Sequence, residues 1–215
     1  TNTIIKNKSA KVFLGFNRPK SKLFKILQQY LRKETGPLMV NWFIAGHQIN
    51  DDHWYFNNKE GGRILGNLCH WSDLLLHIIN LKNVFPCVIS SSSPKNSKSD
   101  FVCNISFRDN SACAISFSAK GHTFEGVREI LNIHKGNLLG TLKDFSKLDL
   151  DIVNKKINKR LFYRDHGHEE NILNSYMGLN SNCGEDNDYI IATAVFILGI
   201  REAIEKNKQI IIHKD

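Results

Sequence analysis

The chain has 215 residues, 41% of them hydrophobic, with 29 Lys and Arg against 21 Asp and Glu for a formal net charge of +8. That suits one domain, or one large and one small, with a real core. Mean hydropathy is -0.30, and no apolar run approaches the ~18 residues of a membrane span; the longest, Ile190 to Ile200, is interrupted by Thr193 and Gly199.

The opening residues, Thr1 to Ala10, are polar and basic with no apolar stretch behind them, unlike a signal peptide. A start on Thr rather than Met is expected from processing or from a piece cut from a longer chain. Lys11 to Phe16 reads as a short strand ending in Gly15-Phe16-Asn17-Arg18-Pro19. Ser21 then serves as N-cap, Leu23 to Leu31 has helical spacing, and Gly36-Pro37 stops it. Leu38 to Ile49 is a strand rich in Val, Ile, Trp and Phe. Along it Asn41 and Trp42 must point to opposite faces, so only one of them reaches the core. Asn50 to Glu60 is a polar loop anchored by Trp54, Tyr55 and Phe56, and Gly61-Gly62 opens a second helix running to about Asn80.

From Val84 short β-rich runs recur between polar turns: Val84 to Ser90, Phe101 to Phe107, Ala112 to Phe117, Val127 to His134 and Leu138 to Phe145. These connections are too short for parallel crossovers, so an antiparallel meander is expected, with Leu161 to Arg164 as a further strand and Ser90 to Asp100 as a Ser/Lys-rich loop tip. Helices are expected over Glu169 to Met177 and Asp186 to Glu205; the second has acidic residues at its start and lysines past its end, matching the helix dipole. The fold class is α+β, an open, mainly antiparallel sheet with helices packed on one face. Its other face is either solvated or a partner surface.

The five cysteines, Cys69, Cys87, Cys103, Cys113 and Cys183, form no CxxC pair, and most lie in apolar runs. They read as reduced small hydrophobes in a cytoplasmic setting, with no structural zinc. His166-Gly167-His168 has metal-compatible spacing but no nearby third ligand. The lysines are dispersed, with a cluster at Lys155, Lys156, Lys159 and Arg160. This is either a solvated basic surface or a positive potential for an anionic small substrate. No stacking aromatics or known motif accompany the charge, so no nucleic-acid partner is expected.

The informative segment is Gly61-Gly62-Arg63-Ile64-Leu65-Gly66-Asn67-Leu68-Cys69-His70-Trp71-Ser72-Asp73-Leu74. At ~100° per residue, Ile64, Leu68, Trp71, Leu75 and Ile78 form a core stripe. His70, Asp73 and His77 fall opposite, joined by Arg63 and Gly66 and flanked by Asn67. Such a face is either a plain solvent face or a site in which a His, held in one tautomer by an Asp at i,i+3, exchanges a proton with a substrate hydroxyl. His47 and His53 bracket the aromatic loop and could line a pocket.

This segment resembles the signature of the Gfo/Idh/MocA oxidoreductases, a glycine pair followed by Asp-x-Gly-x-His-x-x-Asp on a helix, with His70 and Asp73 at its last two positions. Gly15-Phe16-Asn17-Arg18 looks like the segment that closes the family's nucleotide-binding domain. Asn50-Asp51-Asp52-His53-Trp54, Gly136 to Leu148 and Gly167-His168-Glu169-Glu170 are similar to a branch met in polysaccharide biosynthesis. The pieces run in order from about Lys11 to Ile212. The resemblance implies that residues 1–18 are the end of a nucleotide-binding domain and 19–215 a C-terminal substrate-binding and dimerisation domain. It implies hydride transfer between a nicotinamide and a sugar or nucleotide-sugar, with NAD or NADP held by the intact parent and none by this piece, which lacks a GxGxxG cradle. It implies His70 as acid/base or orienting residue, with Asn67, Asp73, His77, Arg63, Trp54 and His53 around a sugar-type substrate, and a homodimer paired through the open sheet face. The sequence departs from the motif at Gly66 and Leu68, where the family has its first Asp and its Gly. A non-catalytic binding or assembly module with a degenerate motif is the alternative.

Overall fold

A computed structural model describes residues 11–57, 60–94, 99–121, 126–181 and 183–213. Residues 1–10 of the expected N-terminal remnant, 58–59 of the aromatic loop and 95–98 of the Ser/Lys-rich tip lie outside them.

The chain enters through an irregular segment and a short 3₁₀ turn, Arg18–Lys20, then forms α1 (Lys22–Leu31) and β1 (Leu38–His47). A π-type turn, Ile64–Leu68, runs into α2 (Cys69–Ile78). The strands β2 (Cys87–Ser92), β3 (Phe101–Ser106), β4 (Ala112–Gly121), β5 (Arg128–Lys135), β6 (Leu138–Lys143), β7 (Lys147–Ile152) and β8 (Lys155–Arg160) follow. Then come α3 (His168–Asn180), α4 (Asn187–Lys206) and the edge strand β9 (Ile210–Ile212).

The described strands form one sheet in the order β8-β7-β6-β5-β1-β4-β3-β2-β9. Every neighbouring pair is antiparallel except β1 and β4, which run parallel with Trp42 opposite Ile115. The architecture is α+β, mainly antiparallel. The meander expected from Val84 onward is interrupted where β1 inserts between β4 and β5. The short-connection argument holds between neighbouring hairpins, but β1 reaches β4 across a connection holding α2, β2 and β3, long enough for a crossover.

Period-2 burial builds the core face: Leu38, Val40, Trp42 and Ile44 on β1, Phe101, Cys103 and Ile105 on β3, Cys113, Ile115 and Phe117 on β4, and Leu148 and Leu150 on β7. Trp42 is the inward residue of its pair and Asn41 the outward one. Against this face pack Leu23, Phe24, Leu27 and Leu31 of α1, Trp71, Leu74 and Leu75 of α2, and Phe196, Ile200 and Ala203 of α4. At ~25 cal/mol per Å² of apolar surface removed from water, this layer is the main source of stability. The opposite sheet face is uncovered and exposes Met39, Phe43, Val102 and Leu139.

Two expected strands are irregular in the structure, Lys11 to Phe16 and Leu161 to Arg164, while β7 and β8 form where no strand is expected, β8 over the basic cluster. In β8 only Ile157 is buried. A charged edge strand is held by backbone pairing to β7 rather than by an apolar stripe, so periodicity does not find it. No helix among the described residues is long and apolar enough to cross a membrane.

Candidate functional site

Gly61 and Gly62 both have positive φ, 78° and 64°, a backbone open to glycine and costly for other residues. They turn the chain into the helix. The amide of Cys69 then donates to the Ile64 carbonyl, five residues back. This π-turn shifts the phase of everything after it relative to an ideal α-helix, and such bulges concentrate at functional positions. The reading of a solvent face opposite a core stripe is therefore corrected. Ile64, Leu68, Trp71 and Leu75 are buried, but so are Cys69, Ser72, Asp73, Leu74 and Leu76. The polar side of α2 is roofed by the entering segment, with its Arg18–Lys20 turn, and by α4.

The roof is pinned by a buried ionic knot. The Arg18 guanidinium lies 4.4 Å over the Trp71 ring and its Nε is 3.4 Å from Glu129 Oε1. Trp71 Nε1 donates to the other Glu129 oxygen. Burial pushes the Glu129 carboxyl up, opposed by Arg18 and the indole. Asp144, buried at the β6–β7 turn, accepts from the Glu129 amide at 2.8 Å and pairs with Arg128 at 2.7 Å.

Next to this knot, His70 stands edge-on to Phe16, ring centroids 5.4 Å apart. Its Nδ1 is buried with no hydrogen-bond partner among the described residues. Desolvation, then the positive charge of Arg18, holds its pKa down at about 4, with His168 and His166 adding to the shift. His70 is therefore a neutral imidazole at pH 7, able to accept a proton or hydrogen bond. His166, also lowered to about 4 chiefly by burial and then by Arg18, carries a backbone carbonyl that accepts from Asn17 Nδ2 at 2.7 Å. Its ring lies 6.1 Å from that of His168. No described group of three or more His, Cys, Asp or Glu residues is arranged to hold a metal.

The other expected residues divide into two groups. Arg63 and Asn67 are joined, Nη1 to Oδ1 at 3.0 Å, and Arg63 also donates to the His47 carbonyl. In the adjoining loop, His53 Nδ1 accepts from the Tyr55 amide at 3.2 Å. Trp54, 60% exposed, packs edge-on to Tyr55 at 4.4 Å. At the far end, Asp73 is 0% exposed. It accepts from the Tyr189 hydroxyl and lies 3.9 Å from His77 Nε2, which is 3.2 Å from that same hydroxyl. Desolvation raises the Asp73 carboxyl to about 7 against the Tyr189 hydrogen bond, and lowers His77 to about 4. His77 also lines a polar cleft of about 620 Å³ with Gln28, Arg32, Asp109 and Lys135, to which His70 does not contribute.

Sequence reasoning missed two residues. Tyr189, on α4, is 116 residues from Asp73 and carries no local signal. Tyr55 was seen only as an aromatic anchor, yet it explains the departure at Gly66. A Cβ on Gly66 would lie 2.9 Å from the Tyr55 ring, and the Tyr55 hydroxyl sits 3.4 Å from the Gly66 carbonyl. A phenol fills the place where the resembled motif has a carboxylate.

Among the described residues the strand pattern differs from that of a doubly wound dinucleotide-binding unit. Such a unit needs a run of parallel strands, each feeding a helix, and here one strand pair is parallel.

The chain matches no family model and no curated protein by sequence. By structure it is similar to an oxidoreductase domain protein from Kribbella flavida, with a TM-score of 0.78 at 10% identity, covering 99% of this chain and 69% of that one. It is also similar to levoglucosan dehydrogenase in complex with NADH and levoglucosan, with a TM-score of 0.73 at 11% identity, covering 98% and 68%. A dehydrogenase from Clostridium difficile gives a TM-score of 0.67 at 14% identity, covering 92% and 64%. The chain spans 62% to 69% of the length of these and similar structures. The chain shares the fold of these solved structures over most of its length.

Proposed function

We propose that the chain is the substrate-side portion of a nicotinamide-dependent oxidoreductase of the Gfo/Idh/MocA type, acting on a sugar or nucleotide-sugar in a reducing, cytoplasmic setting. The observation that carries this reading is His70: a desolvated, neutral imidazole with an unpartnered Nδ1, at the end of a π-turn, in a fold shared with dehydrogenases. A neutral imidazole in that place can accept the hydrogen bond of a substrate hydroxyl and hold it for loss of its proton. Arg63 and Asn67 fix the preceding turn, and exposed Trp54 beside His53 offers a ring for the apolar face of a sugar. Buried Asp73, with half-buried His77 and Tyr189 beside it, holds the helix of His70 in place, and Asp73 and His77 are positioning residues in this reading. NAD or NADP would be held outside this chain. The uncovered sheet face, with Met39, Phe43, Val102 and Leu139 exposed, is proposed as a homodimer surface.

The test is turnover of NAD(P)H by the longest product of the reading frame, with a panel of sugars and sugar nucleotides. His70→Ala is expected to lower kcat by about 100-fold or more. Unchanged turnover would remove His70 from the chemistry. The second reading, a binding or assembly module, is favoured by Tyr55 standing over Gly66 where a motif carboxylate would be. It predicts sugar-nucleotide binding with no turnover by the wild-type protein.

A further inference from the structure

The turn between β6 and β7 carries Asp144 and Phe145 at a φ of 50° each. Hairpin turns with positive φ at both central residues favour Asp-Gly or Asn-Gly. Asp144 fits that pattern, but a left-handed Phe is an outlier. Such backbone persists where the surrounding structure over-determines it, and it concentrates at ligand sites. Here Phe145 is buried, its ring 6.0 Å from the Arg18 guanidinium and 5.4 Å from the His166 ring. Asp144 is also buried and pairs at 2.7 Å with Arg128, whose side chain is 42% exposed. The strained turn thereby fixes Arg128 against a pocket.

That pocket holds about 470 Å³ and is lined by Arg128, Asp144, Ser146 and the segment Leu161 to Arg164. His70 does not line it, nor do Phe16, Arg18 and His166 beside it. The segment is tied down at both ends: the Leu161 amide donates to the Ser146 carbonyl at 2.8 Å and the Asp165 amide to the Phe145 carbonyl at 3.3 Å. Between these ties, Arg164 Nη1 donates to the Val127 carbonyl at 3.1 Å, and Lys22 Nζ donates to the Tyr163 hydroxyl at 3.0 Å. Phe162 is fully exposed and Tyr163 is 57% exposed. We propose that this pocket binds a nucleoside monophosphate, with the phosphate on Arg128 and Arg164 and the base on the rings of Phe162 and Tyr163.

Three features select that ligand. The lining has two guanidiniums against one carboxylate, and that carboxylate is buried and committed to Arg128 and to the Glu129 amide. The lining is therefore net positive, and guanidinium forks match phosphate oxygens. The two exposed rings contribute little to the core, whereas any nucleobase offers a π-face that stacks on such a ring. The volume falls in the range of small-molecule pockets. A bare phosphate would leave the rings unused, and an apolar ligand would desolvate the guanidiniums without pairing them. Stacking and charge do not read base edges, so the site takes the class and not one base.

This site does not depend on the oxidoreductase reading, because its test needs no cofactor, sugar or turnover. UMP, uridine and inorganic phosphate are titrated calorimetrically into the longest product of the reading frame at low salt. UMP is expected to bind about tenfold or more tightly than either uridine or phosphate, since each of those makes half of the contacts. Phe162→Ala should weaken UMP about tenfold and leave phosphate unchanged; its ring is fully exposed, so the fold survives its loss. Arg164→Gln should weaken UMP and phosphate alike, about tenfold, and Arg164→Lys, which keeps the charge without the fork, should weaken UMP less. UMP binding no tighter than that of phosphate overturns the inference. So does UMP binding that survives both Phe162→Ala and Arg164→Gln, since it then lies elsewhere. Affinity that climbs steadily with the length of an oligouridylate also overturns it, in favour of a nucleic-acid surface along the basic edge strand β8.

Discussion

Replacing Asp73 by Asn should change the pH dependence of stability more than stability itself. Asp73 is fully buried, and its carboxyl is raised from 3.8 to about 7, chiefly by desolvation. Between those values the folded chain holds a proton that the unfolded chain has released, so stability falls as pH rises through this window. At about 1.36 kcal/mol per pK unit, the shift amounts to about 4 kcal/mol lost by the wild type between pH 4 and pH 8. Asn keeps the shape and still accepts from Tyr189, but has no charge to desolvate. His70, His77 and His166 work in the opposite sense. Lowered from 6.5 to about 4, they contribute stability that is complete above pH 6.5 and lost as pH falls toward 4. They are common to both proteins and cancel in the comparison. Urea denaturation of wild type and Asp73→Asn near pH 5, 6.5 and 8 should show the variant gaining on the wild type steadily toward pH 8. A stability difference that stays flat across that range would refute a buried, proton-holding Asp73.

Other substitutions test other parts. Glu129→Ala strands the buried Arg18 guanidinium and the Trp71 N–H, and denaturation should show a loss of about 3–5 kcal/mol; Glu129→Gln, which still accepts from Trp71, should lose less. Gly66→Asp, which restores the motif carboxylate, would drive its Cβ into the Tyr55 ring. The expected loss is about 1–3 kcal/mol, recovered in part by Tyr55→Ala, as a double-mutant cycle would show. Gly167→Ala places a Cβ against the backbone of Asn17, Lys20 and Ser21 at φ +79°. The left-handed backbone alone costs about 1–2 kcal/mol, and hydrogen exchange in α3 should accelerate as its first turn lifts from the entering segment.

What the sequence determined by itself is what local patterning can carry. Alternation over two residues put Asn41 and Trp42 on opposite faces of one strand, and helical spacing marked α1, because burial on one face imposes those periods on any chain; that Trp42 is the inward one came from the fold. The Gly61-Gly62 pair and the ordered motif pieces marked where the helix with His70 begins. The tertiary structure decided the rest. β8 is a strand because β7 pairs with it, not because its Lys-rich sequence asks to be one. β1 lies parallel to β4 through a long crossover that no local pattern records. The π-turn at Ile64–Leu68 offsets the ideal wheel, so Asp73 meets Tyr189 of α4 instead of water. His70 has its low pKa because Phe16, Arg18 and His166, distant in sequence, close over it. Desolvation and charge act through space, and only the folded chain brings these groups together.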